Sequence, residues 1–207
     1  MKKLFIIILL LVGMNSCNHK EYQPQNCDLI FQLAESTKFS KAITDATAHH
    51  DDMKFDHVGM VFMEGGVAKV VEASAKHGVT IVTLEQFIEH SPAGYVVKRV
   101  TSHFTASTII KNALSHLGEP YDWSYRPNNG KMYCSELIYE SFTDKTGKHI
   151  FQANPMNFRN AKGEMPEFWI DLFKKLGEEI PEGVMGTNPN DLAKEKSLKE
   201  IYCMKIN

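Results

Sequence analysis

Cys134 stands where a loop gives way to a helix. Gly130 and the polar run Arg126 to Lys131 precede it, and Leu137, Ile138 and Phe142 then recur at helical spacing. A cysteine in the first turn of a helix meets backbone N–H groups that have no intrahelical carbonyl. It also meets the positive end of the helix dipole, and both favour thiolate over thiol. The thiolate is the nucleophile, so the position suits covalent catalysis if a base and an orienting carboxylate stand nearby. Without them, a cysteine at a helix start is ordinarily a packing residue.

Both partners can be read upstream. Phe55-Asp56-His57-Val58-Gly59-Met60-Val61-Phe62 has the β-branched and aromatic content of a strand, Val67-Ala68-Lys69-Val70-Val71-Glu72-Ala73 reads as a second, and Met63-Glu64-Gly65-Gly66 supplies hairpin-turn chemistry. A four-residue loop would pair Phe62 with Val67 and set His57 directly opposite Glu72. A two-residue turn at Gly65-Gly66 would move Glu72 to the diagonal position. Parity keeps both side chains on one face in either register, within roughly 5 to 8 Å. A histidine on an inner strand is usually a satisfied core residue. An ionised Glu72 on a mostly apolar strand is less easily accommodated, because burial without a partner costs several kcal/mol. A Glu holding one imidazole nitrogen would orient the other toward a thiol.

Four segments in order carry a resemblance: Asp28-Leu29-Ile30-Phe31-Gln32, Phe55 to Val61, Val70-Val71-Glu72-Ala73, and Tyr133-Cys134-Ser135-Glu136-Leu137-Ile138-Tyr139. Together they resemble the permuted papain-like amidases (YaeF/YiiX-like), relatives of the NlpC-type cysteine peptidases. The resemblance spans about residues 27 to 160, and Asn188-Pro189-Asn190-Asp191-Leu192 is similar to the family's closing loop. It implies a circularly permuted papain-like fold of the α+β class, with an antiparallel sheet packed against helices. It also implies a Cys nucleophile, a His base and a Glu that orients the His, which fall on Cys134, His57 and Glu72. The order His before Cys is what a circular permutation of papain produces.

The 207 residues are 43% hydrophobic and 23% charged, ordinary for one globular domain. A net charge of −2 implies no general affinity for nucleic acid or an anionic membrane. Lys2-Lys3 followed by the apolar run Leu4 to Val12 has the form of a secretory signal, too short for a transmembrane helix. Gly13-Met14-Asn15-Ser16-Cys17 resembles a relaxed lipoprotein cleavage box, with Met14 where Leu is more usual. The expectation is therefore an exported protein with residues 1–17 as signal, Cys17 lipidated, 18–26 as a polar tether and 27–207 as the hydrolase domain. It would face the periplasm or cell surface. Simple signal cleavage giving a soluble product is the alternative. Of the remaining cysteines, Cys27 and Cys203 could form a bridge in an exported protein, but read better as two buried thiols.

The other elements follow from periodicity and punctuation. Asp28 to Leu33 is a first strand, and Ser36 to Ala48 a helix with Phe39, Ala42, Ile43 and Ala46 on one face. Val79 to Thr83 and Tyr95 to Val100 are strands flanking a short helix at Leu84 to Glu89. Ala106 to Leu117 is a helix closed by Gly118, and Met165 to Leu176 is an amphipathic helix ended by Gly177. His49-His50-Asp51-Asp52 lacks the spacing of a metal site and reads as a solvated loop. Pro120-Tyr121-Asp122-Trp123-Ser124-Tyr125 either lines a substrate cleft, Tyr121 foremost, or packs over the sheet.

The chemistry implied is hydrolysis of an amide in a peptide or N-acyl amino acid, by analogy one derived from peptidoglycan. The Cys134 N–H contributes to the oxyanion site, with Tyr133 a second candidate, and no metal or organic cofactor is required. Two alternatives remain open: a lipid acyl hydrolase or acyltransferase on the same fold, and a peptide-binding lipoprotein without catalysis.

Overall fold

A computed structural model describes residues 21–48 and 53–205. The signal segment, Cys17 and the His49-His50-Asp51-Asp52 cluster lie outside the described residues. In chain order the first elements are β1 (Leu29–Leu33), α1 (Lys38–Thr47), β2 (Phe55–Glu64), β3 (Val67–Ser74) and β4 (Gly78–Thr83). Next come α2 (Leu84–Glu89), β5 (Gly94–Val100), α3 (Ala106–Ser115) and α4 (Cys134–Ser141). The last are β6 (Asn154–Pro155), α5 (Glu167–Leu176), β7 (Met185–Gly186), α6 (Pro189–Ala193) and β8 (Leu198–Lys205). Six strands form one antiparallel sheet in the order β4-β3-β2-β1-β5-β8, which makes the molecule α+β.

The hairpin takes the shorter of the two turns considered. Glu64 pairs with Val67, and Gly65 and Gly66 have φ of 59° and 84°. Two consecutive left-handed residues make the tight turn whose twist matches the flanking strands, and glycine adopts that conformation without a Cβ penalty. The β2–β3 pairing runs back only as far as Met60↔Val71. Beyond it, β2 continues against β1 and β3 against β4, so the two strands part at the end that carries His57 and Glu72.

Alternation along the strands gives the sheet two apolar faces. The larger core gathers Leu29, Phe31, Val58, Met60, Val71 and Val96 with Leu137 and Ile138 of α4, Ile109 of α3 and Phe173 of α5. The smaller one joins Ile30, Val61, Val70 and Val97 to Phe87 of α2. A bulge changes the alternation near the start of β2. Gln32 pairs with His57 and Leu33 with Phe55, leaving Asp56 as an extra residue. Phe55 consequently points into the larger core against Phe31, at 5.4 Å between ring centroids, while His57 stands beside Phe87.

The segment read as a tether is docked from Tyr22 onward. Tyr22 packs on Tyr202 and its hydroxyl donates to Asp28 at 2.9 Å, while Met63 N donates to Asn26 Oδ1 at 2.7 Å. Asp28 is fully buried and receives Arg99 through Nε at 2.6 Å and Nη2 at 2.8 Å. That fork satisfies a carboxylate which could not otherwise sit at the head of a central strand. The charged sequence of β8 gives no strand pattern of its own. β8 is an edge whose side chains are mostly exposed, and Lys199, Glu200 and Lys205 interrupt its alternation.

Gly59 couples the sheet to the site. A Cβ there would lie 2.6 Å from Val70 Cγ1 and 2.7 Å from Phe87 Cε2, so the missing side chain lets α2 close down beside His57. Gly59→Ala should overpack this face, costing about 1–3 kcal/mol. For a domain of this size that is a fall in Tm of roughly 3–10 °C, readable by calorimetry. An unchanged Tm would show that Phe87 does not hold this position.

Candidate active site

α4 begins at Cys134 because Tyr133 is extended, with φ −98° and ψ 166°, and its amide is capped from within the helix by Glu136 Oε2 at 3.4 Å. Cys134 is therefore the first helical residue, and its own N–H has no carbonyl a turn earlier to receive it. The residue is 4% exposed. Glu136 is also buried, and that burial, reinforced by the charge of nearby Asp122, pushes its carboxyl up to about 8, with the Tyr133 amide acting the other way. A mostly neutral carboxyl in this turn spares Cys134 the repulsion that an ionised one would exert on a thiolate.

His57 and Glu72 face each other where β2 and β3 part. Their side chains meet at 2.6 Å between His57 Nε2 and Glu72 Oε2, with 18% and 12% exposure. This leaves Nδ1 as the ring nitrogen not bonded to Glu72, and Cys134 is a close enough neighbour to influence the titration of the imidazole. Burial alone would lower the His57 pKa. Hydrogen bonding to Cys134 and to Glu72, with the charges of both, outweighs it and raises the value to about 10. Phe87 lies against the ring, 5.7 Å between centroids and inclined by 31°. Gln32, opposite His57 in the β1–β2 pairing, is held by its donation to Phe87 O at 2.9 Å.

The start of β2 is fastened from the far end of the chain. Asn190 Oδ1 accepts from Phe55 N at 2.9 Å, and its Nδ2 donates to Phe55 O at 2.8 Å and to Thr47 Oγ1 at 2.8 Å. One buried amide side chain thus replaces a strand partner two residues before His57. The family-like loop at 188–192 contains this residue, but only the fold shows what it grips.

The aromatic loop before Cys134 both packs and lines. Asp122 is fully buried and gathers its own loop by accepting from Ser124 N at 2.9 Å, Ser124 Oγ at 2.6 Å and Arg126 N at 2.8 Å. Met132 N donates to Pro120 O and Asp122 N to Met132 O, each at 3.1 Å, which ties the loop to the residues just before Cys134. Trp123 packs on Phe39 and Tyr121 at 5.2 and 4.9 Å. Tyr121 lies in the wall of two cavities. One is an open cleft of about 480 Å³ that includes His57 and Glu72; the other is a narrow pocket of about 50 Å³ that includes Cys134.

Tyr133 borders the narrow pocket as well, but has no free group to donate to an oxyanion. Its amide is taken by Glu136, and its hydroxyl accepts from Thr187 N at 3.0 Å and lies 3.9 Å from Met156 Sδ. Tyr125, in the same loop, was not singled out by its sequence position. Its buried ring and left-handed backbone, φ 52°, place it beside Tyr133 and Trp169. The remaining thiols are differently placed. Cys27, Cys134 and Cys203 are all free, burial followed by the Asp28 charge pushes Cys27 up to about 12, and burial also raises Cys203.

Comparison with known proteins identifies the family and the fold. A family model described as "Permuted papain-like amidase enzyme, YaeF/YiiX, C92 family" matches residues 23–202. The chain is 30% identical over 185 residues to the uncharacterized protein YiiX of Escherichia coli K12, covering 87% of this chain and 86% of that protein. It also superimposes on a crystal structure of "metalloprotein yiiX" from Escherichia coli O157:H7 with a TM-score of 0.73 and 26% identity. That match covers 89% of this chain and all of the other. The permuted papain-like fold implied by the four segments is thus borne out, and the chain belongs to the permuted papain-like amidase family of YaeF and YiiX.

Proposed function

We propose that the protein is a thiol hydrolase that cleaves an amide bond through Cys134, His57 and Glu72. The observation that carries this reading is the His57 imidazole bound to Glu72 at 2.6 Å, with the Cys134 thiol at the start of α4 near enough to help raise the ring's pKa. The reaction starts as His57 takes the Cys134 proton, which gives a thiolate beside an imidazolium. The sulfur attacks the amide carbon, an S–C bond forms, and the carbonyl oxygen becomes an oxyanion that the Cys134 N–H stabilises. His57 passes its proton to the leaving nitrogen as the C–N bond breaks and the amine departs. The neutral imidazole then takes a proton from water, whose oxygen attacks the acyl carbon; the S–C bond breaks, the acid is released, and the thiolate–imidazolium pair returns. Glu72 keeps the ring oriented and stabilises its charge throughout.

The crystallised relative is described as a metalloprotein. Among the described residues of this chain no group of three His, Cys, Asp or Glu side chains is placed to hold a metal ion, and the steps above use the chain's own side chains.

Family kinship and the export-type leader support a peptide or N-acyl amino acid of the cell envelope as substrate, with the protein held to a membrane through lipidated Cys17. Two acyl chains give stable anchoring where one is marginal. Cys17→Ala should move the protein from the membrane to the soluble fraction. An unmodified Cys17 in the intact mature protein, by mass spectrometry, would contradict the anchor.

On any amide substrate that turns over, Cys134→Ala and His57→Ala should each fall to near background, and the double variant should be little worse than either alone because the pair acts as one unit. Glu72→Gln should retain partial activity. Wild-type rates in His57→Ala would refute the assignment.

The raised His57 pKa has a definite sign. Its folded value, about 10, exceeds the ordinary 6.5, so its stabilising contribution is complete below about 6.5 and disappears as pH rises through about 10. The same proton serves the leaving amine. kcat/KM should therefore hold through neutral pH and decline above about 10, and in Glu72→Gln that alkaline limb should move to lower pH. An identical limb in the variant would mean that Glu72 does not hold the proton on His57.

A further inference from the structure

The two cavities divide the components of the triad. The narrow pocket contains Cys134 but neither His57 nor Glu72 in its wall; the open cleft contains His57 and Glu72 but not Cys134; Tyr121 belongs to both. In amide hydrolysis through a thiol, the leaving nitrogen must face the imidazole that protonates it, and the acyl carbon must face the sulfur. The scissile bond therefore straddles Tyr121. The amine portion lies in the cleft with Glu35, Asp56, His77 and His90, and the acyl portion enters the narrow pocket.

The pocket limits what can enter. Its 50 Å³ corresponds to about three to five water-sized groups at roughly 10–15 Å³ each, against 480 Å³ for the cleft. Tyr133, Met156, Phe158 and Trp169 make its wall largely apolar. Two of the residues in that wall carry a buried polar atom without a hydrogen-bond partner of good geometry. Tyr125, 7% exposed, has a hydroxyl whose oxygen faces the Tyr121 hydroxyl as an acceptor, while its own O–H has no group to donate to. The Trp169 indole N–H likewise has no partner. A buried donor left open in a cavity wall costs free energy unless something that enters the cavity accepts from it.

Building on the thiol-hydrolase reading above, we propose that the narrow pocket is the acyl-side subsite and that it selects a short acyl group carrying a hydrogen-bond acceptor for the Tyr125 hydroxyl. The amine side can be much larger. Long fatty acyl chains are excluded by volume, and short wholly apolar chains are disfavoured because they leave Tyr125 without a partner.

The test uses amides of one fluorogenic arylamine with three acyl groups: 3-carbamoylpropanoyl, its apolar isostere 4-methylpentanoyl, and decanoyl. Arylamine release is measured together with the mass of the quenched full-length protein, which reports acylation of Cys134. The carbamoylpropanoyl amide should exceed its isostere about tenfold in kcat/KM, the scale of one hydrogen bond, and decanoyl should be at least a hundredfold poorer. Tyr125→Phe should bring carbamoylpropanoyl down to the isostere and leave the isostere within about twofold, which a merely structural loss would not do. Decanoyl acylating Cys134 as fast as the short chains would overturn the subsite and leave the nucleophile assignment standing. So would equal slowing of both short amides in Tyr125→Phe, or no effect on either. Failure of all three amides to acylate Cys134 would count against the hydrolase reading and the subsite together.

Discussion

The site depends on keeping a charged imidazole in a largely buried position. Alone, His57 would lose its proton there, because burial favours the neutral ring. The hydrogen bond to Glu72 and the nearness of Cys134 reverse that balance, and neither group can do so without placement from elsewhere in the chain. Glu72 reaches the ring because the tight Gly65-Gly66 turn fixes the β2–β3 register and the strands then separate. Cys134 reaches it because α4 starts at the loop closed by Asp122 and the Pro120–Met132 backbone bonds. The proposed chemistry rests on two loops and a strand end that approach one side chain.

The same constraint explains features that would otherwise be isolated oddities. Asp56 is an extra residue in β2, and the bulge it makes lets Phe55 join the main core while His57 turns toward Phe87. Gly59 has no side chain, so Phe87 can lie beside the imidazole, 5.7 Å between ring centroids. Asn190 replaces the missing hydrogen-bond partner at the strand's start and stops the bulge from loosening. Each sacrifices some regularity in the sheet for the orientation of one ring, the usual relation between strained or irregular elements and functional groups.

Much of this was legible in the sequence because it is carried by local pattern. The alternation of Phe55 to Phe62, the paired glycines and the helical spacing after Cys134 predict the hairpin and the helix start. Parity alone puts His57 and Glu72 on one face whichever turn is used. What escaped depends on distant residues. β8 has too many charges to read as a strand and is one only because β5 offers an edge. The stretch before β1 looks like a tether, yet it docks because Asp28 needs partners that include Tyr22. Tyr125 appears as one more aromatic in a loop until Phe158 and Trp169, from later in the chain, close around it.

The most direct measurement is the protonation state of His57 by nitrogen NMR of the isotope-labelled protein, followed across pH in the wild type and in Cys134→Ala. The wild-type ring should remain doubly protonated at pH 8 and titrate near 10, and loss of the thiol should move the titration to distinctly lower pH. A neutral ring at pH 8 in the wild type, or a titration unaffected by removal of the sulfur, would contradict the pairing on which the mechanism is built.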